Sequence, residues 1–329
     1  MRTYLICLAA VVVVCAGFCQ AGPNVQFVEH PDRIDVMVDG RHFTSYLHRD
    51  DLTKPILYPL RTPCGIVVNR SYPLEKVEGE TTDHPHHAGI SFTYDQVNGN
   101  GFWNNTKSPP QIKHVKVTEM KAGSGRGRLS TVAHWLGTDG QVLLQESRDM
   151  VFIAGPNEYA IDFDIRLKAR NKKVVFKDTK EGMFAIRVAD WLRERSGSGI
   201  YLSSNGDEKE KGVWGKRAEW LRLQGEKDGK ALGVAIFHHP DSVNYPTYWH
   251  ARGYGLFSAN PLGQYDFEKK RNPKQAKPFN FTLQPGHTGR FRFLVLVYEG
   301  ERTKEQLDGT FKAFARPVKR QRPADIGAL

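Results

Sequence analysis

Beyond residue 21 the chain contains one cysteine, Cys64. A lone thiol cannot close an internal disulfide, so the fold must rest on its core. Cys64 itself reads as a small buried hydrophobe. After the first residues no apolar run is long enough to cross a bilayer. No GxGxxG opens a helix, and GxxxxGK[ST], HExxH and GxSxG do not occur. Their absence argues against dinucleotide, P-loop, zincin and α/β-hydrolase chemistry. Methionine and cysteine are few, 5 and 4, and unclustered. That leaves no soft-ligand set for copper. Helical periodicity is almost missing, and one segment, 303–315, carries it, with Leu307, Phe311 and Phe314 on one face.

The N-terminus reads as a targeting signal. Met1-Arg2 precedes an apolar run over 4–18, and Cys19-Gln20-Ala21 resembles a small-x-small cleavage site. Val14 and Phe18 stand where a lipoprotein signal carries a small residue. The expectation is a signal peptide at 1–21 and one domain over 22–329, exported to the periplasm or beyond the cell. The formal net charge is +11, from 47 Lys+Arg against 36 Asp+Glu. An exported basic protein rarely meets nucleic acid; acidic polysaccharide or an anionic surface fits better. The basic clusters at 168–173 and 316–322 read as solvated surface.

Period-two alternation runs through most of the chain. It predicts strands at 25–29, 33–38, 42–47, 112–119, 128–136, 142–152, 159–167, 184–188, 231–238 and 291–297. Asp39-Gly40 and Asp139-Gly140 mark hairpin turns. So many strands with one helix predict an all-β fold, a large antiparallel β-sandwich with a concave face and one C-terminal helix.

Histidine is concentrated in Asp83-His84-Pro85-His86-His87. In an extended backbone His84 and His86 share a face and His87 points away. Such a pair could hold a divalent metal ion, act as acid and base, or hold a sugar. A turn whose imidazoles serve only the local backbone reads equally well. Downstream, 238–255 interleaves His250 and Arg252 with Tyr248, Trp249 and Tyr254. Aromatic faces stack on sugar rings, and arginine forks bind oxygens. Between these lie Glu181, a candidate base beside Gly182, and Arg187. Trp103 follows the first cluster as a candidate pocket wall.

DHPHHAGISFTYDQVNGNGFW, EGMFAIRVA, VWGKRAEW and HPDSVNYPTYWHARGYGLFSANPLG together resemble the bacterial family labelled "methane oxygenase PmoA". Ala88 stands where that pattern has a larger, often basic residue. The resemblance implies a galactose-mutarotase-like supersandwich that accompanies carbohydrate degradation, with a site on the concave sheet face. It does not imply methane oxidation, which needs spans in lipid.

The leading expectation is therefore an exported carbohydrate-active enzyme of hydrolase, lyase or epimerase type. His86, His250 and Glu181 would be catalytic. His87, Trp103, Arg187, Tyr248, Trp249, Arg252 and Tyr254 would bind substrate, and His84 with His86 would ligate any divalent metal. The competing expectation is a non-catalytic glycan-binding module that stacks sugar on Trp103, Tyr248 and Trp249. One pocket holding both histidine clusters would favour the enzyme.

Overall fold

A computed structural model describes residues 22–316. The proposed signal and all of the basic tail after Arg316 lie outside them. Among the described residues two large antiparallel sheets pack face to face. One has nine strands, in the order Tyr248–Ala251, Leu256–Asn260, Gly182–Arg187, Ile90–Tyr94, Ile56–Leu57, Arg41–Leu47, Arg33–Val38, Asn24–His30 and Gly123–Ser124. The other has eight: Ile200–Ser203, Trp220–Lys227, Lys230–His238, Thr288–Glu299, Glu158–Ala169, Val142–Ala154, Arg126–Leu136 and Gln111–Lys121. The fold is an all-β sandwich, as the alternation predicts.

The alternating segments form strands because one face must be dry and the other wet. In Val142–Ala154 buried and half-buried residues alternate almost without a break. Asp39 and Gly40 both take positive φ, 48° and 74°, as a tight hairpin turn demands. Between the sheets Phe184 stacks on Phe293 at 4.5 Å and meets Phe163 edge-on at 5.0 Å. The C-terminal helix, Lys304–Phe314, begins with a capping box in which Thr303 accepts from Gln306 N. Its Leu307 and Phe311 cover Trp220, Phe237 and Leu296 on the outer face of the eight-stranded sheet.

Several expectations need correction. Two further helices of five residues, Lys209–Val213 and Gln264–Glu268, accompany the C-terminal one. Strands Ile90–Tyr94, Tyr248–Ala251 and Leu256–Asn260 show no alternation because every residue in them is buried. Loops roof their outer face, so both sides are dry. Cys64 is half-buried beside the Thr62 hydroxyl rather than in the core. The basic residues of 168–173 are exposed, as read from the sequence.

His238 is a stability liability. It is fully buried, stacks on Phe293 at 5.0 Å, and neither ring nitrogen finds a hydrogen-bond partner among the described residues. Burial, helped by His239 and Arg217, pushes its pKa down to about 3. An unfolded imidazole titrates near ~6.5. Below that pH the unfolded chain takes a proton that the folded chain refuses, so stability is full above it and is lost as pH falls. His238→Phe removes this loss. Its Tm, relative to the parent, should rise as pH drops from 8 to 5 in thermal scans; an advantage that stays constant with pH contradicts the assignment.

Candidate functional site

The outer face of the nine-stranded sheet carries the candidate site. Residues opposite one another in antiparallel strands point to the same side. The register aligns His250 with Ser258, Ser258 with Ala185 and Ala185 with Ser91. Three small side chains thus make a floor, and His250 stands at its edge. Gly182 begins the third strand of the sheet because nothing larger fits: an added Cβ would lie 2.4 Å from the Tyr94 ring. Arg187 ends that strand opposite Leu256.

The first histidine cluster is a turn, not an extended segment. His87 N donates to the His84 carbonyl at 3.0 Å, with Pro85 in between at the position where its fixed φ favours a β-turn. His84 takes a positive φ of 47°, which for a residue with a Cβ is strained. The turn overturns the period-two parity. His84 stacks on His87 at 5.0 Å with an interplanar angle of 3°. His86 meets His87 edge-on at 4.2 Å. All three imidazoles therefore gather in one group.

A buried ion cluster holds the turn. Asp83 Oδ1 accepts from Arg70 at 2.6 Å and from Arg187 at 2.5 Å, while Oδ2 lies 2.7 Å from His84 Nδ1. Both guanidiniums are fully buried. Arg70 also donates to the carbonyls of Thr81 and His84. The two arginines and the His84 bond hold the Asp83 carboxyl below the usual carboxylate range, against the opposing effect of burial.

Further contacts bring the second cluster to the same face. Tyr254 stacks on His84 at 5.0 Å, under the Arg187 guanidinium at 4.8 Å. Arg252 reaches over Tyr254 at 5.7 Å and Trp214 at 6.0 Å. Trp214 in turn meets His250 edge-on at 6.4 Å. Trp103 packs on His87 at 5.4 Å and on Ala185 and Leu256. Beside His250 a cleft of about 470 Å³ opens, lined by Trp214, Arg252, Glu194 and Glu210 among others. Shape alone does not locate this site: His86 and Lys54 line a separate hollow with Leu52 and Asn105, and His239 lines another with Arg290 and Arg292.

Burial keeps the imidazoles neutral. His86 is pushed down to about 4 by burial, then by Lys54, His84 and the arginines. His87 falls much further for the same first reason. His250 falls to about 3 through burial, Lys180 and Arg252. Burial lowers Arg187 to about 10 and raises the Tyr254 phenol. Near neutral pH these three imidazoles are therefore held in the uncharged form. His250 Nδ1 lies 3.0 Å from the Lys180 carbonyl. A carbonyl only accepts, so Nδ1 carries the hydrogen and Nε2 is the open, basic nitrogen.

Not every expected residue reaches the site. Trp249 points the other way, into the core between the sheets, where its ring packs on Phe257 and its indole donates to the Ala218 carbonyl. Its neighbours Tyr248 and His250 take the outer face by strand parity. Tyr248 is nonetheless covered, stacked on Phe267, under Arg217 and bonded to Glu268. Glu181 is ion-paired with Lys180 and close enough to Tyr254 to influence its phenol. Among the described residues no three His, Cys, Asp or Glu side chains converge on a metal position. The His84 and His86 rings stand 5.8 Å apart at 64°, and Asp83 holds His84 Nδ1, which leaves Nε2 as the free nitrogen of His84.

Arg70 and Lys54 were not singled out from the sequence. Lys54 is buried, donates to the carbonyls of Phe102 and Trp103 and to Asn105, and so positions Trp103. Burial lowers its pKa to about 7.

Removing one partner of a buried ion pair typically costs about 3–5 kcal/mol. Asp83 is 43% exposed, so water offsets part of the loss and Asp83→Asn should cost about 1–2 kcal/mol. Chemical denaturation measures this directly, and a change below about 0.5 kcal/mol would show that the arginines do not depend on Asp83.

No curated protein matches the sequence. Among solved structures the chain is similar to the GH36 α-galactosidase AgaA of Geobacillus stearothermophilus, at 10% identity over 83% of this chain and TM-score 0.35. The chain spans 40% of that enzyme's length. It is similar to a galactose mutarotase related enzyme of Lactobacillus acidophilus, at 10% identity over 85% of this chain and 98% of the other, TM-score 0.32. The Slr1438 protein of Synechocystis sp. PCC 6803 gives 13% identity, coverage of 91% and 100%, and TM-score 0.32. A family profile described as a family of unknown function (DUF6807) matches residues 33–312. It lends no support to the methane oxygenase label. The chain belongs to this family, DUF6807.

Proposed function

We propose that the chain is an exported enzyme that transfers a proton on a sugar or sugar derivative, as a lyase or epimerase does. The observation that carries this reading is His250. It is neutral, its Nδ1–H is tied to the Lys180 carbonyl, and its basic Nε2 makes no hydrogen bond to a described residue. Being unprotonated, and held by its other nitrogen, it presents a free Nε2 lone pair to a substrate hydrogen, and a negatively charged substrate at the site would raise its basicity. The Tyr254 phenol, kept protonated, is the partner suited to return one. Arg187 and Arg252 would orient substrate oxygens, and His86, His87 and Trp103 would wall the site. A galactose-mutarotase-like architecture with its site on this sheet face is part of the same reading.

Hydrolysis by a carboxylate pair fits less well. Glu181 is engaged by Lys180, and Glu210 by Arg252 and the Gly253 amide. The binding-module alternative loses its platforms. A stacked sugar needs an exposed ring, whereas Trp103, Tyr248 and Trp249 are at most 2% exposed.

Turnover should be sought on a panel of glycans and keto-sugars with and without chelator. His250→Ala should lower kcat by on the order of 10²–10⁴ while ligand binding survives. Equal kcat in parent and variant would remove His250 from the chemistry. A base with a pKa of about 3 is already unprotonated at pH 5. The limb of the rate profile set by His250 should therefore be flat from pH 8 to 5. A limb falling with a midpoint near pH 6.5 contradicts its assignment.

A further inference from the structure

We infer that the ligand of this site carries a carboxylate, as a uronic acid does; this rests on the proposed site and names its substrate class. The first support is a set of buried donors without partners. Trp103 Nε1, Trp214 Nε1 and Arg187 Nε make no hydrogen bond to a described residue. His87 Nε2 belongs with them. Arg187 approaches His87 Nδ1 at 3.5 Å, and a guanidinium only donates, so Nδ1 is the acceptor and Nε2 bears the hydrogen. Each is a nitrogen that donates. No buried oxygen on this face is left without a partner among the described residues. A buried donor left alone costs about 1–3 kcal/mol, so four on one face of the sheet, of which Trp214 lines the cleft, call for a ligand rich in acceptors.

Hydroxyls of a neutral sugar both donate and accept, so donors alone do not select an anion. The charge balance does. Arg70 and Arg187 share the single carboxylate of Asp83, which leaves one buried positive charge uncompensated. Lys54, with its pKa lowered to about 7 and Asp95 near enough to act on it, adds little to this balance. Arg252 lies 3.0 Å through Nε from Glu210, while its two terminal nitrogens make no hydrogen bond to a described residue. That open pair, held over Tyr254 and Trp214 at the cleft mouth, matches the spacing of two carboxylate oxygens. A carboxylate also fits the proton transfer. His250 would take the hydrogen from the carbon next to it. The electron pair would pass into the carboxylate, where a guanidinium stabilises it. It would return either to recapture a proton at that carbon or to expel the neighbouring substituent, which Tyr254 protonates.

The test uses the whole protein and three probes: trisaccharides of galacturonate, glucuronate and mannuronate, each beside its methyl ester, which keeps the sugar and removes the charge. Isothermal titration should show at least one acid bound about tenfold or more tighter than its ester, with a preference that weakens as salt rises. Arg252→Gln should abolish the preference; Arg252→Lys, which keeps charge without the fork, should keep part of it. Trp103 and Trp214 indole resonances should shift with the acid. Equal binding of acid and ester overturns the inference, and if His250→Ala still removes turnover the proposed function survives it. Tighter binding of a sulfated oligosaccharide than of every uronide assigns the site to sulfate and also overturns it. Binding of neutral glycans alone does the same, and a protein that binds no sugar at all defeats both readings.

Discussion

One carboxylate between two buried arginines organises this molecule's candidate site. Asp83 bonds Arg70 and Arg187, and both cations would otherwise sit in the protein uncompensated. Arg187 comes from the end of the third strand of the nine-stranded sheet and Arg70 from the loop beside it, where its backbone N donates to the Arg187 carbonyl. Asp83 therefore ties the histidine turn to the sheet. The strained φ of His84 is tolerated because its ring and carbonyl are both held by this cluster.

The same cluster sets the electrostatics. Cations beside buried imidazoles disfavour imidazolium, and burial acts in the same direction. His86 and His87 are thereby held neutral, as hydrogen-bonding and stacking rings. The fold supplies the rest. Ser91, Ala185 and Ser258 leave a shallow floor, and aromatic rings from three loops enclose it. The positive charge that remains is the basis of the proposal that the ligand is acidic.

Much of the fold was legible in the sequence because most strands have one wet face. Val142–Ala154 and Glu158–Ala169 alternate and were found nearly whole. Tyr248–Ala251 and Leu256–Asn260 are dry on both sides, so they read as an aromatic loop. That missed strand explains the error at Trp249. Strand parity turns it inward and His250 outward, and parity is invisible until the strand is recognised. Local density of His, Arg and Tyr did point to His84, His86, His87, Arg187, His250, Arg252 and Tyr254. The HxH parity failed because Pro85 nucleates a turn. Arg70 carried no signal, since nothing in a local segment tells a buried arginine from a solvated one.

The central claim is that burial, reinforced by neighbouring cations, holds these imidazoles neutral, with the His250 hydrogen on Nδ1. Nitrogen-15 NMR of histidine-labelled protein, followed from pH 8 to 5, tests it most directly. The account predicts that His86, His87 and His250 do not titrate in that range and that His250 shows Nδ1 protonated and Nε2 bare. Titration of His250 near pH 6.5, or a hydrogen on its Nε2, would contradict it.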